Sequence, residues 1–421
     1  MAARFMSGRR QAGHQEQTMS KKNESTEKQQ LREAARAWIA KNKPADPGFK
    51  LPQTFLEVES EQQFVYLRDW QRKVYEGGYL GVEWPEAYGG RGLPTGSQRV
   101  VEQEMARAGT PFMVNYIGLA WVGPTIMMTG SDVQKERYLK KILSGEDIWC
   151  QGFSEPGSGS DLASLSTSAV RKGDTYVVNG HKVWTTTAQW SDWMILLART
   201  DPKARKYDGI SYFLFPMKSK GVEIRPLIKM TGEGGFNQVL FDNVEIPASC
   251  LLGVEGQGWQ LAIQTLLFER GAQEGSAGGS TAMGEPVKKL VDLARASRRG
   301  GAPAIDDPWV RDRIAQFAIE EAALTACGRR YKIAGLVEDR PTAIPFMGKL
   351  VGSEFLQRLT AFANEIQGPA AQYWYGSDRA IENGFWQRAY MNTFGFTIGG
   401  GTSEIQRNII GERILGLAKS K

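Results

Sequence analysis

The amino-acid sequence predicts an α+β fold in which a central β-domain lies between two helical domains. Apolar residues recur at helical spacing over residues 31–148, alternate with a period of two over residues 149–255, and return to helical spacing over residues 256–421. A chain of 421 residues is long enough for about two to four domains. We therefore predict three domains with these limits, preceded by a mobile tail over residues 1–30.

Composition excludes several classes of protein. Hydrophobic residues make up 41% of the chain and charged residues 23%, as is usual for a chain that folds around a core. The longest uninterrupted apolar run, Trp193–Ala198, is much shorter than the roughly 18 residues that a membrane-spanning helix needs. The net charge of +6 is spread along the chain, so we expect neither a nucleic-acid partner nor a membrane partner.

The small numbers of cysteine and histidine limit the possible chemistry. The three cysteines lie far apart in the sequence, and the two histidines are His14 and His181. A disulfide framework, a zinc site and a Ser-His-Asp triad are therefore all unexpected, and we predict no metal. The chemistry is expected to use a carboxylate or a cofactor.

Residues 1–30 are polar and contain almost no periodic hydrophobic residues. Arg4, Arg9 and Arg10 precede the first acidic residue, Glu16, which is one feature of a mitochondrial presequence. We favour the alternative, an upstream start or leader before Met19, and so expect a bacterial, cytoplasmic protein rather than one of the mitochondrial matrix.

Local patterns predict the elements of each domain. Helices are expected at Leu31–Ala40 and Val133–Leu143 in the first domain, and at Trp309–Val337 and Ile344–Ile366 in the last. In the β-domain, Asn179-Gly180 predicts a two-residue hairpin turn. Further strands are expected at Trp193–Ala198, Ile210–Phe215, Val222–Ile228 and Val239–Ile246.

The loop Phe153–Asp161, at the start of the β-domain, is the first candidate site. Gly157 and Gly159 let a ligand approach the backbone closely, and three serines in the loop can donate hydrogen bonds. Such a loop suits a phosphate or the polar edge of a flavin, although an ordinary Gly/Ser turn has the same composition. Trp184, which three threonines follow, either stacks on a flat ring system or packs in the core.

Two more candidate sites lie in the C-terminal domain. Glu269 follows a strongly apolar run, where burial would raise its pKa toward the range that suits a general base. An exposed ion pair between Glu269 and Arg270 is the alternative. Three successive glycines, Gly399–Gly401, precede hydroxyl residues that can cap a helix, so a ligand-binding turn and a plain loop-to-helix junction both explain them.

Taken in order, these motifs closely resemble those of the acyl-CoA dehydrogenase family. The resemblance rests on the loop Phe153–Asp161, the segment from Asn179 to Trp184, the Glu269-Arg270 pair and the Gly401-Thr402-Ser403 junction, and it covers about residues 31–418. It implies an N-terminal helical domain, a central β-barrel or sandwich, and a C-terminal four-helix bundle.

The resemblance also implies an FAD-dependent oxidoreductase of lipid metabolism that acts on acyl-CoA. In that family a base removes the proton α to the thioester carbonyl, a hydride passes from the β carbon to flavin N5, and a trans-2-enoyl-CoA forms. Electron-transfer flavoprotein is the expected electron acceptor.

Roles for individual residues follow from the same resemblance. The expected FAD contacts are Gln151, Phe153, Ser154, Ser160, Trp184, Thr186, Thr402 and Glu404. The expected substrate contacts are Ser160, Arg270, Gly399, Gly400 and Gly401. Many members carry the catalytic glutamate just before the Gly-Thr pair, where this chain has Gly400. Isovaleryl- and long-chain-type members carry it on the helix after the β-domain, and that match assigns Glu269 as the base.

Two departures from the family pattern bear on substrate and assembly. Gly399-Gly400 replaces larger residues of the pocket wall, so we expect a bulky, branched or cyclic acyl group, unless Phe394, Phe396 or Trp374 fills the space. Ala296–Pro303 replaces the usual Arg-x-x-Phe-Gly element that reaches a neighbouring subunit's FAD. We therefore expect either a homo-oligomer, dimer or tetramer, or a heteromer with a paralogue. The alternative functions are a non-catalytic subunit and a flavin oxidase or monooxygenase on the same fold.

Overall fold

The computed structural model describes residues 26–269, 285–330, 333 and 343–419. This part of the chain contains helices, then one eight-stranded sheet, then helices again, in the order that the hydrophobic spacing predicts. Within these ranges no helix is long and apolar enough to cross a membrane. The same ranges hold no group of three or more His, Cys, Asp or Glu side chains that could bind a metal ion.

The described part of the N-terminal region has five α-helices, α1 to α5, which are Thr26–Asn42, Glu61–Glu76, Ser97–Ala108, Gly123–Thr129 and Asp132–Ser144. Helix α1 begins at Thr26, so residues 26–30 belong to a helix and the predicted limit of the tail at residue 30 is wrong. The reason is that Leu31, Ala35 and Ile39 lie on one face of α1 and are buried, which stabilises a turn of helix before them. Residues 1–25 of the predicted tail lie outside the described residues.

The strands β1 to β8 of the central region are Trp149–Gly152, Ser168–Lys172, Thr175–Lys182, Trp193–Arg199, Ile210–Pro216, Val222–Leu227, Phe236–Pro247 and Leu251–Leu252. They form one sheet in the order β6-β7-β3-β2-β4-β5-β8, and β1 pairs with β4 in parallel. Both faces of the middle strands are covered. Ile195 and Leu197 pack against the N-terminal helices, whereas Met194 and Leu196 pack inside the β-domain, which is why β4 is a continuous apolar run.

The predicted hairpin turn at Asn179-Gly180 is wrong. Strand β3 continues through both residues, and its hairpin partner is β2, which it meets through a turn at Gly173. Asn179-Gly180 instead marks an irregularity, because the register between β3 and β7 shifts between Val178 and Gly180. A Cβ atom on Gly180 would lie 2.4 Å from Thr167 Oγ1. The close packing of Gly180 against Thr167, just before β2, therefore requires a glycine.

The described C-terminal helices, α6 to α11, are Gly258–Glu269, Pro286–Ala296, Pro308–Arg330, Ala343–Gln367, Phe385–Ile398 and Ser403–Ile409. Helices α7 to α10 form the bundle, and their apolar side chains share one core. Helix α6 instead packs on the sheet and on the N-terminal region. Its Thr265 hydroxyl lies 3.0 Å from the Tyr212 hydroxyl of β5 and 3.1 Å from the Thr125 hydroxyl of α4. This packing brings the end of α6 to the junction of the three regions.

A buried ion cluster joins the three regions at the same junction. Glu57 comes from the N-terminal region, Lys229 and Glu233 from the loop between β6 and β7, and Arg388 from α10. The Arg388 guanidinium lies 3.3 Å from Glu57 and 2.9 Å from Glu233, and the Lys229 ammonium lies 3.5 Å from Glu57. Lys50 completes the cluster by pairing with Glu233. Because both carboxylates are almost fully buried, the cations are needed to offset their desolvation.

Candidate active site

A cleft of about 3330 Å³ opens where the three regions meet, and most of the predicted site residues line it. They are Gln151, Phe153, Ser154, Ser160, Trp184, Thr186, Glu269, Gly399, Gly400, Gly401 and Thr402. The volume exceeds the few hundred Å³ of an ordinary small-molecule pocket, so the cleft has room for a large cofactor together with a substrate. Arg270, a predicted substrate contact, lies outside the described residues.

Glu269 and Gly400 meet inside this cleft. Gly400 has φ +66°, and a Cβ atom built on it would lie 3.2 Å from Glu269 Oε1. The two positions that the sequence resemblance offers for the base, on α6 and just before the Gly-Thr pair, are therefore neighbours in the fold. A side chain at residue 400 would compete with the Glu269 carboxylate for that space. The left-handed conformation of residue 400 favours glycine, and the contact with Glu269 leaves little room for a side chain.

Tyr116 is an aromatic residue of the cleft that the sequence did not point to. Burial, followed by the negative charges of Glu102 and Glu269, raises the pKa of its hydroxyl to about 12. Tyr116 also stacks on Phe55 with ring centroids 4.4 Å apart, and Trp121 meets Tyr116 edge-on at 5.8 Å. Phe55, Tyr116 and Trp121 belong to the N-terminal region and line the cleft together with Glu102. These three rings form an aromatic wall of the cleft. No short motif marks these residues, because tertiary packing alone brings them to the cleft.

A buried ion pair positions the loop Phe153–Asp161. The Lys182 ammonium donates to Glu155 Oε1 at 2.8 Å and to the carbonyl of Phe153 at 3.0 Å. The other oxygen of Glu155 accepts from the amide and the hydroxyl of Ser166, at 2.7 and 2.8 Å. Burial opposes ionisation of Glu155, but Lys182 and these hydrogen bonds outweigh burial and lower its pKa to about 2. Glu155 is thus an ionised anchor beneath the loop.

Trp184 presents its indole to the cleft instead of packing in the core. Its side chain is 60% exposed and meets Phe236 edge-on with ring centroids 5.9 Å apart. Its backbone has φ +60°, which is rare for a bulky residue and costs about 1–3 kcal/mol. The flanking hydrogen bonds, from Val183 N to the Ser154 carbonyl and from Thr185 N to the Asn237 carbonyl, are both 2.9 Å and maintain this conformation. Strain of this kind persists where the surrounding structure imposes it. Here the strained backbone conformation turns the indole toward the cleft.

The glycine turn ends in a capped helix. Thr402 Oγ1 accepts from Ile405 N at 3.2 Å and so caps α11, as the sequence predicts for a loop-to-helix junction. Gln406 Nε2 donates to the Gly400 carbonyl at 2.8 Å, and Lys349 of α9 donates to the Gly401 carbonyl. Glu404 is placed differently from the other predicted FAD contacts. Its side chain is 78% exposed beside Arg407, outside the cleft of this chain.

Comparisons with known proteins match all three regions to the same family. The family models "Acyl-CoA dehydrogenase, N-terminal domain", "middle domain" and "C-terminal domain" match residues 25–146, 150–244 and 256–415. The acyl-CoA dehydrogenase IpdE1 of Mycobacterium tuberculosis is 36% identical over 398 residues, which is 93% of this chain and 98% of the relative. This chain belongs to the acyl-CoA dehydrogenase family.

Solved structures of other acyl-CoA dehydrogenases share the fold. A structure described as the Tcur3481-Tcur3483 steroid ACAD has a TM-score of 0.80 at 30% identity, with 94% of this chain and 99% of that chain covered. The ChsE4-ChsE5 complex from Mycobacterium tuberculosis has a TM-score of 0.76 at 28% identity, with 95% of this chain and 100% of that chain covered. The predicted fold class, a β-domain between two helical regions, is therefore confirmed.

The enzyme is an FAD-dependent oxidoreductase, as members of this family are. The residues in the cleft fit the cofactor. Trp184 offers an exposed flat ring, Gln151 Nε2 is a buried donor without a partner, and Thr186 brings a hydroxyl to the same wall. A Cβ atom added to Gly159 would meet nothing within 4 Å, so the loop leaves its backbone open to a ligand. Polar donors beside an exposed indole suit the polar edge and the flat face of a flavin.

Proposed function

We propose that this enzyme oxidises an acyl-CoA thioester to the trans-2-enoyl-CoA, with Glu269 as the base that removes the α proton. The observation that supports this best is the contact between Glu269 and Gly400. A carboxylate from α6 lies within 3.2 Å of the point where the family's alternative base would begin, in a chain that has no side chain there. The family assignment supports an acyl-CoA dehydrogenase in general, and this contact supports the choice of Glu269.

Different residues of the cleft would bind the cofactor, remove the proton and exclude water. Bound FAD supplies the oxidant that accepts a hydride from the β carbon. Trp184 and Thr186 would hold the flavin ring against the β-domain, and Gln151 would donate to its polar edge. Glu269, which lines the same cleft, would take the α proton onto its carboxylate. The aromatic wall around Tyr116 would exclude water from the acyl chain during proton transfer.

We propose a bulky, ring-bearing acyl group as the substrate. Two of the similar solved structures are described as a steroid ACAD and as its variant, which supports a large polycyclic or terpenoid acyl class. The glycine turn supports the same class. A Cβ atom on Gly399 would meet only the Gly395 carbonyl, at 3.2 Å, so no side chain lies within 4 Å of that position. Phe394 and Phe396 do line the cleft, but neither occupies the space beside Gly399.

We also propose that the enzyme acts as an oligomer, either with itself or with a paralogue. In helix α8 the buried residues Val310, Ile314 and Phe317 all lie in its first half, and Ile319 beyond them is 69% exposed. The second half of α8 therefore has no buried residue in this chain, which leaves it available to a neighbouring subunit. The description of one similar structure as a ChsE4-ChsE5 complex favours a paralogous partner. The exposed position of Glu404 is compatible with a contact to FAD bound by a neighbouring subunit.

Anaerobic titration of the purified enzyme with acyl-CoAs tests the reaction, with bleaching of the flavin spectrum as the measurement. We expect bleaching by a ring-bearing acyl-CoA, and higher kcat/KM for it than for butyryl- or octanoyl-CoA. A clear preference for butyryl-CoA would contradict the proposed substrate class. Rapid peroxide formation in air would favour the oxidase alternative, and a purified chain without flavin would favour a non-catalytic subunit. Reoxidation by electron-transfer flavoprotein, followed in the same samples, tests the proposed acceptor.

A further inference from the structure

The space around Gly400 contains a cation as well as the proposed base. Built on Gly400, a Cβ atom would lie 3.2 Å from Glu269 Oε1 and 3.9 Å from Lys349 Cε. The two side chains reach this point from different helices, Glu269 from α6 and Lys349 from α9. Both are half-buried and both line the cleft. Their charged ends therefore approach the same glycine from within the same partly desolvated space.

Lys349 is held where it is by the glycine turn. Its ammonium donates a hydrogen bond to the Gly401 carbonyl, and Gln406 donates to the Gly400 carbonyl on the other side of the turn. Gly400 and Gly401 both have positive φ, which turns their carbonyls toward these donors. A lysine fixed in this way has lost the freedom to move its charge into solvent. The turn therefore sets the position of a positive charge relative to Glu269.

Other charged or titratable groups of the described residues line the same cleft. From the N-terminal region, Tyr116 and Glu102 line the cleft, and the Tyr116 hydroxyl feels the charges of both Glu102 and Glu269. From the sheet, the Tyr212 hydroxyl forms a hydrogen bond with the Thr265 hydroxyl. Arg413 lines the same cleft from the C-terminal segment. Among the described side chains, Lys349 and Glu269 are those that come within 4 Å of a Cβ atom built on Gly400.

We propose that Lys349 is a positioning residue for the base: it closes the glycine turn through the Gly401 carbonyl and holds its ammonium beside the Glu269 carboxylate, which keeps that carboxylate ionised and ready to accept the α proton. The inference rests on the proposed function in that it takes Glu269 as the base. It assigns to the glycine turn a second purpose besides making room for the substrate. A nearby positive charge favours the charged form of a carboxyl group.

Infrared titration of the resting protein tests the charge effect without turnover. The carboxylic-acid band of Glu269 is identified as the band that is lost in Glu269→Gln, and its intensity is followed against pH. We expect Lys349→Met and Lys349→Gln to raise the midpoint of that band by about one pH unit or more. Lys349→Gln keeps an N–H donor for the Gly401 carbonyl, so it separates loss of charge from loss of the hydrogen bond. Lys349→Arg should restore the midpoint.

Arg358→Met is the matched control, because it removes a positive charge from the same helix at an exposed site, where Arg358 pairs with Glu320. Its midpoint should equal that of the wild type. Unchanged midpoints in Lys349→Met and Lys349→Gln would overturn the proposal. The acid limb of kcat/KM for flavin reduction should shift in the same direction as the infrared midpoint. If Glu269→Gln reduces its flavin at the wild-type rate, the proposed base fails, and the infrared midpoints still decide whether Lys349 controls Glu269.

Discussion

The role of a single carboxylate can be tested at Glu269. We expect Glu269→Gln to bind FAD but to reduce it about 10²–10⁴-fold more slowly than the wild type, because the amide cannot accept the α proton. Stopped-flow absorbance of the flavin under anaerobic conditions measures this step. Glu136→Gln is the matched control, since Glu136 is exposed on α5 and lies outside the cleft. Wild-type reduction by Glu269→Gln would show that another group is the base.

Trp184 offers a second test at the scale of one residue. Trp184→Ala removes an exposed ring contact worth about 0.5–1.5 kcal/mol, so FAD should dissociate about 2- to 12-fold more readily. Equilibrium dialysis followed by flavin fluorescence measures the retained cofactor. Trp184→Phe keeps a ring and should retain FAD more nearly like the wild type. Equal retention in all three proteins would mean that the indole does not contact the flavin.

At the scale of elements, the ion pair between Glu155 and Lys182 joins the loop Phe153–Asp161 to strand β3. The folded state holds the pKa of Glu155 at about 2, below its ordinary value of 4.5. A lowered carboxyl pKa stabilises the fold above the unfolded-state value, and that contribution is lost as the pH falls from about 4.5 toward 2. We therefore expect the urea midpoint of unfolding to fall over this pH window in the wild type.

Lys182→Met should lower the free energy of unfolding at neutral pH by about 3–5 kcal/mol, because it leaves Glu155 buried without its cation. The double variant Glu155→Gln with Lys182→Met removes both charges and should recover part of this loss. It should also show a flatter dependence of stability on pH between about 4.5 and 2. A single variant as stable as the wild type would show that the pair contributes nothing to the loop. Urea unfolding followed by tryptophan fluorescence provides the measurement.

At the scale of the whole molecule, one guanidinium bridges three regions. Arg388 of α10 pairs with Glu57 of the N-terminal region and with Glu233 of the β-domain. We expect Arg388→Met to lower stability by about 3–5 kcal/mol and to separate the unfolding of the bundle from that of the other regions, since two carboxylates lose a buried partner. Calorimetry should show a second transition, absent from the wild type.

Arg225→Met is the control for Arg388→Met, because Arg225 pairs with Glu223 at the surface of the β-domain. Exposed pairs contribute little, so its calorimetric trace should match that of the wild type. If Arg388→Met also unfolds in one transition at the wild-type temperature, the cluster does not couple the regions.

Much of the architecture was predictable because local spacing reports which faces are buried. The change from helical spacing to a period of two, and back, located the three regions, and the apolar runs of β4 and β5 located the middle of the sheet. The hairpin at Asn179-Gly180 was predicted wrongly for a physical reason. The same dipeptide suits a turn and a bulge, and the choice depends on Thr167, whose contact with Gly180 exists only in the folded sheet.

The sequence by itself determined the fold class and the chemical class of the site, because both depend on patterns within short segments and on motifs in a fixed order. It placed Glu269 and Gly400 in different segments, 131 residues apart in the chain, and could not show that they meet. Only the tertiary structure decided that contact, together with the positions of Tyr116, Lys349 and the cluster around Arg388. These depend on how helices of different regions pack, and no local spacing records the distance between side chains that are far apart in sequence.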